Sequence, residues 1–165
     1  MDERARKTPE ERLAELGLGL PEPPRPVANY VGAVAVGNVL FVSGHGPVKD
    51  GEHLFIGKLG RDMDIEEGKQ AAQLVILNLL ATIKAHLGEL DRVRRVVKLL
   101  CMVNSSPDFR RQPEVANGAS DLLVDIFGPD RGRHARSAVG MGALPFGIAV
   151  EIEGVFEIAP TAAPQ

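Results

Sequence analysis

The segment Ile148 to Ile158 (IAVEIEGVFEI) alternates between apolar and acidic side chains. A period of two places Val150, Ile152 and Phe156 on one face of a strand and Glu151, Glu153 and Glu157 on the other. A slip of one residue would drive the carboxylates into the core, so the register is strongly fixed. The chain must fold around a sheet with one buried face and one face of different character.

The rest of the chain supplies the cover. Asp64-Ile65-Glu66-Glu67 is a capping-box pattern, with Asp64 as cap and Glu67 three residues on. It predicts a helix to about Leu87, stopped by Gly88, with Ala71, Leu74, Val75, Asn78, Ile83 and Leu87 at helical spacing and Leu77 and Leu80 widening the stripe. A second helix is expected between Asp108 and Phe127, broken or begun afresh at Pro113, with Val115, Ala119, Leu122, Leu123 and Ile126 inward. Strands are expected at Tyr30 to Ser43 (a hairpin around Gly37-Asn38), Val93 to Val103 and Ala135 to Met141, with a short edge strand at residues 53 to 56. The order of strand pair, helix, strand, helix, strand pair fits one mixed α+β sheet with both helices on one face. The opposite face is then either solvated or buried against a neighbouring subunit.

Thr8-Pro9-Glu10-Glu11 opens a short amphipathic helix carrying Leu13 and Leu16, ended by Gly17. PEPPRP, Pro21 to Pro26, reads as a stiff linker. The expected organisation is a helix and linker over residues 1–26, an α+β domain over 27–158, and a tail over 159–165.

With 165 residues, 44% hydrophobic and 25% charged, the chain suits one domain with a real core. There is no Trp and only one Tyr, so the core is aliphatic. A net charge of -3 gives no electrostatic footprint for nucleic acid. The lone Cys101 excludes an intramolecular disulfide and a multi-cysteine zinc site, and reads as a buried structural thiol. No His/Asp/Glu spacing suggests a metal site. The charged N-terminus does not read as a signal peptide, and no apolar run reaches the roughly 20 residues of a membrane span. A cytoplasmic protein without membrane contact is expected.

Three stretches carry a resemblance: Asn29 to Pro47 (NYVGAVAVGNVLFVSGHGP), Ala135 to Pro145 (ARSAVGMGALP) and Val150 to Val155 (VEIEGV). Over about residues 27–158 the chain resembles the Rid family, also called YjgF or endoribonuclease L-PSP proteins. Its N-terminal helix and linker resemble the extra segment of a longer bacterial subgroup. The resemblance implies a chorismate-mutase-like protomer and a homotrimer whose sheets line a central barrel, with ligand clefts between subunits. It also implies hydrolysis of reactive 2-imino or enamine acids to 2-keto acids and ammonia, with no metal or cofactor.

Carried over residue by residue, Arg136 matches the family arginine that grips a substrate carboxylate. A guanidinium suits that role, offering two parallel donors and a permanent charge. Glu151 matches the glutamate that positions or deprotonates water. Alternation alone does not separate it from Glu153 and Glu157. Tyr30 matches an aromatic at the cleft mouth, and Ser43 and Gly44 match a small-residue pair where backbone approaches ligand. Asn117 corresponds to a helix asparagine, across a short insertion, and Ser137 follows the arginine in the motif as a substrate-binding candidate. Departures are Ala138 where the family often has a cysteine, and Ser120 where some members have a tyrosine. His45 and His134 are unusual. His134 either shares a side with Arg136 or is a solvent-exposed loop histidine, the latter being the plainer expectation. Each candidate also has a structural reading: a surface or intersubunit ion pair for Arg136, a solvated or interface carboxylate for Glu151, a packing tyrosine for Tyr30.

Two functions compete. One is an enamine/imine deaminase using Arg136 and Glu151. The other is a trimer that senses a small carboxylate without turnover. A ribonuclease or translation inhibitor is disfavoured by the charge and the scarcity of aromatics.

Overall fold

The computed structural model describes residues 7–25 and 28–160. The elements run α1 (Pro9–Glu15), β1 (Ala33–Val36), β2 (Val39–His45), β3 (Val48–Lys49), β4 (Glu52–His53), α2 (Ile65–Leu87), β5 (Val93–Asn104), α3 (Gln112–Phe127), α4 (Pro129–Gly132), β6 (Ala135–Met141) and β7 (Val150–Ile158). A five-stranded sheet has the order β1-β2-β7-β5-β6. Its neighbours are antiparallel except β5 and β6, which are parallel and so need a crossover, supplied by α3. The fold is the mixed α+β arrangement expected.

β6 and β7 follow each other in sequence but are not partners. β7 lies between β2 and β5, and β6 takes the edge beside β5. The expected edge strand at residues 53 to 56 is corrected to a hairpin. Val48 pairs with His53 and Lys49 with Glu52, and Ile56 instead makes a single bridge to Ile148. The tight turn explains the shift: Asp50 and Gly51 both have positive φ, 52° and 80°, which suits a two-residue hairpin.

Both capping boxes form. The Thr8 hydroxyl accepts from Glu11 N–H and the Asp64 carboxylate from Glu67 N–H, with each glutamate reaching back to the cap. α2 and α3 lie together on one face of the sheet. The α2 stripe centres on Ala72, Ile76, Leu79 and Ile83, while Leu74 and Leu77 are only half-buried. The reason is that α2 packs against the sheet and α3 at once. Gly118 permits that contact, since a Cβ there would lie 2.8 Å from Lys69 Cα. The inward residues expected of α3 are all buried.

α1 docks on the same core. Leu13 is buried, Glu10 accepts from Leu90 N–H at 2.8 Å, and Arg12 donates to the Asp125 carbonyl at 3.3 Å. The domain start expected near Val27 falls outside the described residues, as do residues 161–165 of the expected tail. Among the described residues no helix is long and apolar enough to cross a membrane.

On β7, Val150, Ile152, Phe156 and Ile158 are buried under the helices, and Glu151, Glu153 and Glu157 face away, as the alternation requires. The helix-free face also carries Val34, Phe41 and Val139, which are exposed. It is therefore an apolar surface with carboxylates set in it.

Candidate functional site

Glu151 stands at a cleft of about 360 Å³ together with Tyr30, Ser43, Gly44, His45 and Phe146. A β-bulge builds this corner. The register of β2 against β7 shifts between Val42 and His45, so Ser43 and Gly44 leave the regular ladder with β7, and Gly44 comes up against the Glu151 side chain. The Ser43 hydroxyl donates to the Val31 carbonyl at 2.7 Å, which ties the bulge to the strand entry. A Cβ on residue 44 would overlap Glu151 Oε1 and lie 3.1 Å from its Cδ. Glycine here leaves the Glu151 carboxylate its place. Partial burial raises the Glu151 pKa above its ordinary 4.5, and the Glu153 carboxylate on the same face raises it further.

His45 holds the bulge from beneath. Its Nδ1 lies 2.6 Å from the Ser43 carbonyl and its Nε2 lies 2.7 Å from Thr82 Oγ1 on α2. A carbonyl only accepts, so Nδ1 carries the hydrogen and neutral Nε2 accepts from the threonine hydroxyl. Burial lowers the His45 pKa, and the bond to Ser43 opposes that only in part.

Arg136 lies elsewhere. It projects from β6 on the helix-covered side, where Nη1 donates to Asn117 Oδ1 at 2.9 Å and to Ser120 Oγ at 3.0 Å, and Nη2 to the Pro113 carbonyl at 3.3 Å. Its strand partner Leu99 faces the core, whereas Glu151 pairs with Met102 on the opposite face. One chain thus gathers Tyr30, Ser43, Gly44 and Glu151 at one place and Arg136 with Asn117 at another. Ser137 joins neither group. It accepts from Lys98 Nζ at 2.9 Å in a shallow recess beside Glu153.

The expectation of a solvent-exposed loop His134 is corrected. The ring is half-buried, with Nδ1 2.7 Å from the Gly132 carbonyl and Nε2 3.0 Å from Ser120 Oγ. Ser120 therefore accepts from Arg136 and donates to His134, one short relay on a single side of β6. Burial lowers the His134 pKa; the Gly132 carbonyl opposes this, and the Arg136 charge adds to it.

Comparison with known proteins bears on this arrangement. The family model described as "YjgF/chorismate mutase-like, putative endoribonuclease" matches residues 10–151. The chain belongs to the YjgF family. Within the family it is similar to "Protein TCP17" of Trypanosoma cruzi, 48% identical over 146 residues, 88% of this chain and 91% of that one. Two solved structures are also similar. The protein Atu1372 of Agrobacterium tumefaciens is 45% identical with a TM-score of 0.86, covering 92% of each chain. A "putative endoribonuclease" of Shewanella oneidensis MR-1 is 36% identical with a TM-score of 0.89, covering 92% of this chain and all of that one.

In this YjgF-family chain the cleft has walls that sequence reasoning missed. Pro24 and Arg25 of the linker, His53 of β4 and Phe146 of the turn before β7 all line it. Pro145-Phe146-Gly147 has the composition of a turn, yet nothing local says which hairpin the turn will meet. Cys101 is buried, and desolvation pushes its thiol up to about 11, so it is no nucleophile. Among the described residues no group of three or more His, Cys, Asp or Glu is placed to hold a metal ion.

Proposed function

We propose that this protein hydrolyses reactive 2-imino acids, or the enamines that tautomerise to them, to 2-keto acids and ammonia, in clefts shared by neighbouring subunits of a homotrimer. The observation that carries the reading is Glu151: a carboxylate of raised pKa, placed by a bulge at the wall of a cleft. Water adds to the imine carbon while Glu151 takes its proton. The same carboxyl passes that proton to nitrogen, then carries the hydroxyl proton of the resulting carbinolamine to the same nitrogen as the C–N bond breaks, which leaves the keto acid and ammonia. No cofactor is required for this chemistry. Arg136, set beside Asn117 and Ser120, is suited to hold the substrate carboxylate.

The two groups occupy opposite faces of one sheet, so a shared substrate requires two chains. The exposed Val34, Phe41 and Val139 on the helix-free face support self-association. The carboxylates Glu153 and Glu157, on the same face of β7 as Glu151, oppose a polyanion, which weighs against the ribonuclease activity for which the Shewanella relative is named.

The test is complementation. Arg136→Ala and Glu151→Gln chains are each inactive in ammonia release from freshly generated 2-iminopropanoate. Unfolded and refolded together in equal amounts, they regain intact clefts at about a quarter of positions, if each cleft takes one group from each neighbour around a ring. No recovery, with both variants folded and trimeric, overturns the shared-cleft reading. A trimer that binds small carboxylates without turnover is the second reading, favoured by the engagement of Arg136 with three protein acceptors. Binding of 2-keto acid without ammonia release would establish it.

A further inference from the structure

One wall of the Glu151 cleft is an aromatic pair. The His53 and Phe146 rings stack with centroids 4.2 Å apart and planes 18° from parallel. Both residues line the cleft that Ser43, Gly44 and Glu151 also line. Phe146 is 68% exposed, so packing into the core does not account for it. Its backbone is also strained: φ is 59° and ψ is 9°, the left-handed region that a bulky residue rarely adopts.

The strain is held by a local lattice of main-chain bonds. Gly147 N–H donates to the Leu144 carbonyl at 3.0 Å, Gly57 N–H to the Gly147 carbonyl at 2.8 Å, and Ala149 N–H to the Phe55 carbonyl at 2.8 Å. These bonds tie the chain leaving β4 to the turn entering β7. They fix His53 and Phe146 as one preset surface. A fixed, solvent-facing ring at a cleft mouth is what recognition of an apolar or aromatic group needs, because the ordering cost is met before binding. Tyr30, 52% exposed, faces the same space.

The size of the cleft points the same way. At about 360 Å³ it falls in the range of roughly 300–1,000 Å³ typical of pockets that enclose drug-sized ligands. A three-carbon acid would fill only part of a cleft of this size. We infer that the His53–Phe146 pair is the side-chain pocket of this site and selects 2-imino and 2-keto acids bearing an aryl group over those bearing a methyl group. The inference rests on the reading of Glu151 as the reacting end of the cleft, and adds the substrate class.

The test is binding of two product analogues to the full chain by calorimetry. Phenylpyruvate is expected to bind at least about tenfold more tightly than pyruvate. Phe146→Gly, which suits the left-handed backbone and keeps the turn, is expected to bring the two affinities together. His53→Ala is expected to shrink the difference. Equal affinities in the natural protein, a preference that survives Phe146→Gly, or no measurable binding of either acid overturns the assignment. Aryl preference in binding with no imine hydrolysis would leave this pocket standing and remove the deaminase reading. Hydrolysis without aryl preference would do the reverse.

Discussion

The Glu151 carboxylate occupies the space in which a side chain at Gly44 would begin. The atoms in conflict are the far end of a flexible side chain, not backbone. Gly44→Ala is therefore expected to leave the melting temperature within a few degrees while rotating the carboxylate out of its place, with a fall in kcat/KM for imine hydrolysis of about 10²-fold. Thermal unfolding and ammonia release on the same preparation check both halves.

Glu151→Gln separates stability from chemistry. The folded pKa of this carboxyl is raised, so the native state favours its neutral form, and that contribution is lost as pH rises through the folded value. Glutamine should match the natural protein in melting temperature well below the ordinary 4.5 and exceed it near pH 7. Hydrolysis in the natural protein, which uses the ionised form, should rise with pH along a limb centred above 4.5. A pH limb that persists in Glu151→Gln would sink the assignment of Glu151 as base.

His45 gives the opposite slope. Its folded pKa lies below the ordinary 6.5, so its contribution is intact above that pH and falls away as acid protonates the unfolded chain first. His134 contributes in the same sense. Melting temperature should decline as pH drops below 6.5, and His45→Gln should flatten part of that decline, leaving the share due to His134.

Cys101 offers a check on the core. With the thiol buried and shifted to about 11, the folded protein should resist alkylation at mildly alkaline pH. One thiol should react promptly once denaturant is added.

The helix-free face predicts assembly. Light scattering should give three times the chain mass of 17.7 kDa. Phe41→Lys places a charge among the exposed apolar residues of that face and should shift the mass toward the single chain. A monomeric natural protein would remove the shared-cleft mechanism.

Much of this architecture was legible in the sequence because its signals are local. The boxes at Thr8 and Asp64 need four residues each, and the alternation in β7 fixes both its register and its faces. Glu151 was separable from Glu153 only by the family motif; the bulge opposite supplies the physical reason. What stayed hidden came from meetings between distant segments. No pattern around His134 announces Ser120, and none around His53 announces Phe146. Nor does the motif around Arg136 say that its side chain leaves the sheet on the face opposite Glu151.

The leading segment bears on both the core and the cleft: Leu13 is buried in the core, while Pro24 and Arg25 line the cleft. A fused tag, an antibody or a protease that grips residues 7–25 thus has a lever on both durability and ligand entry, without ever contacting the sheet. Removing residues 7–25 would change two properties at once, and an assay of the shortened chain would mix them.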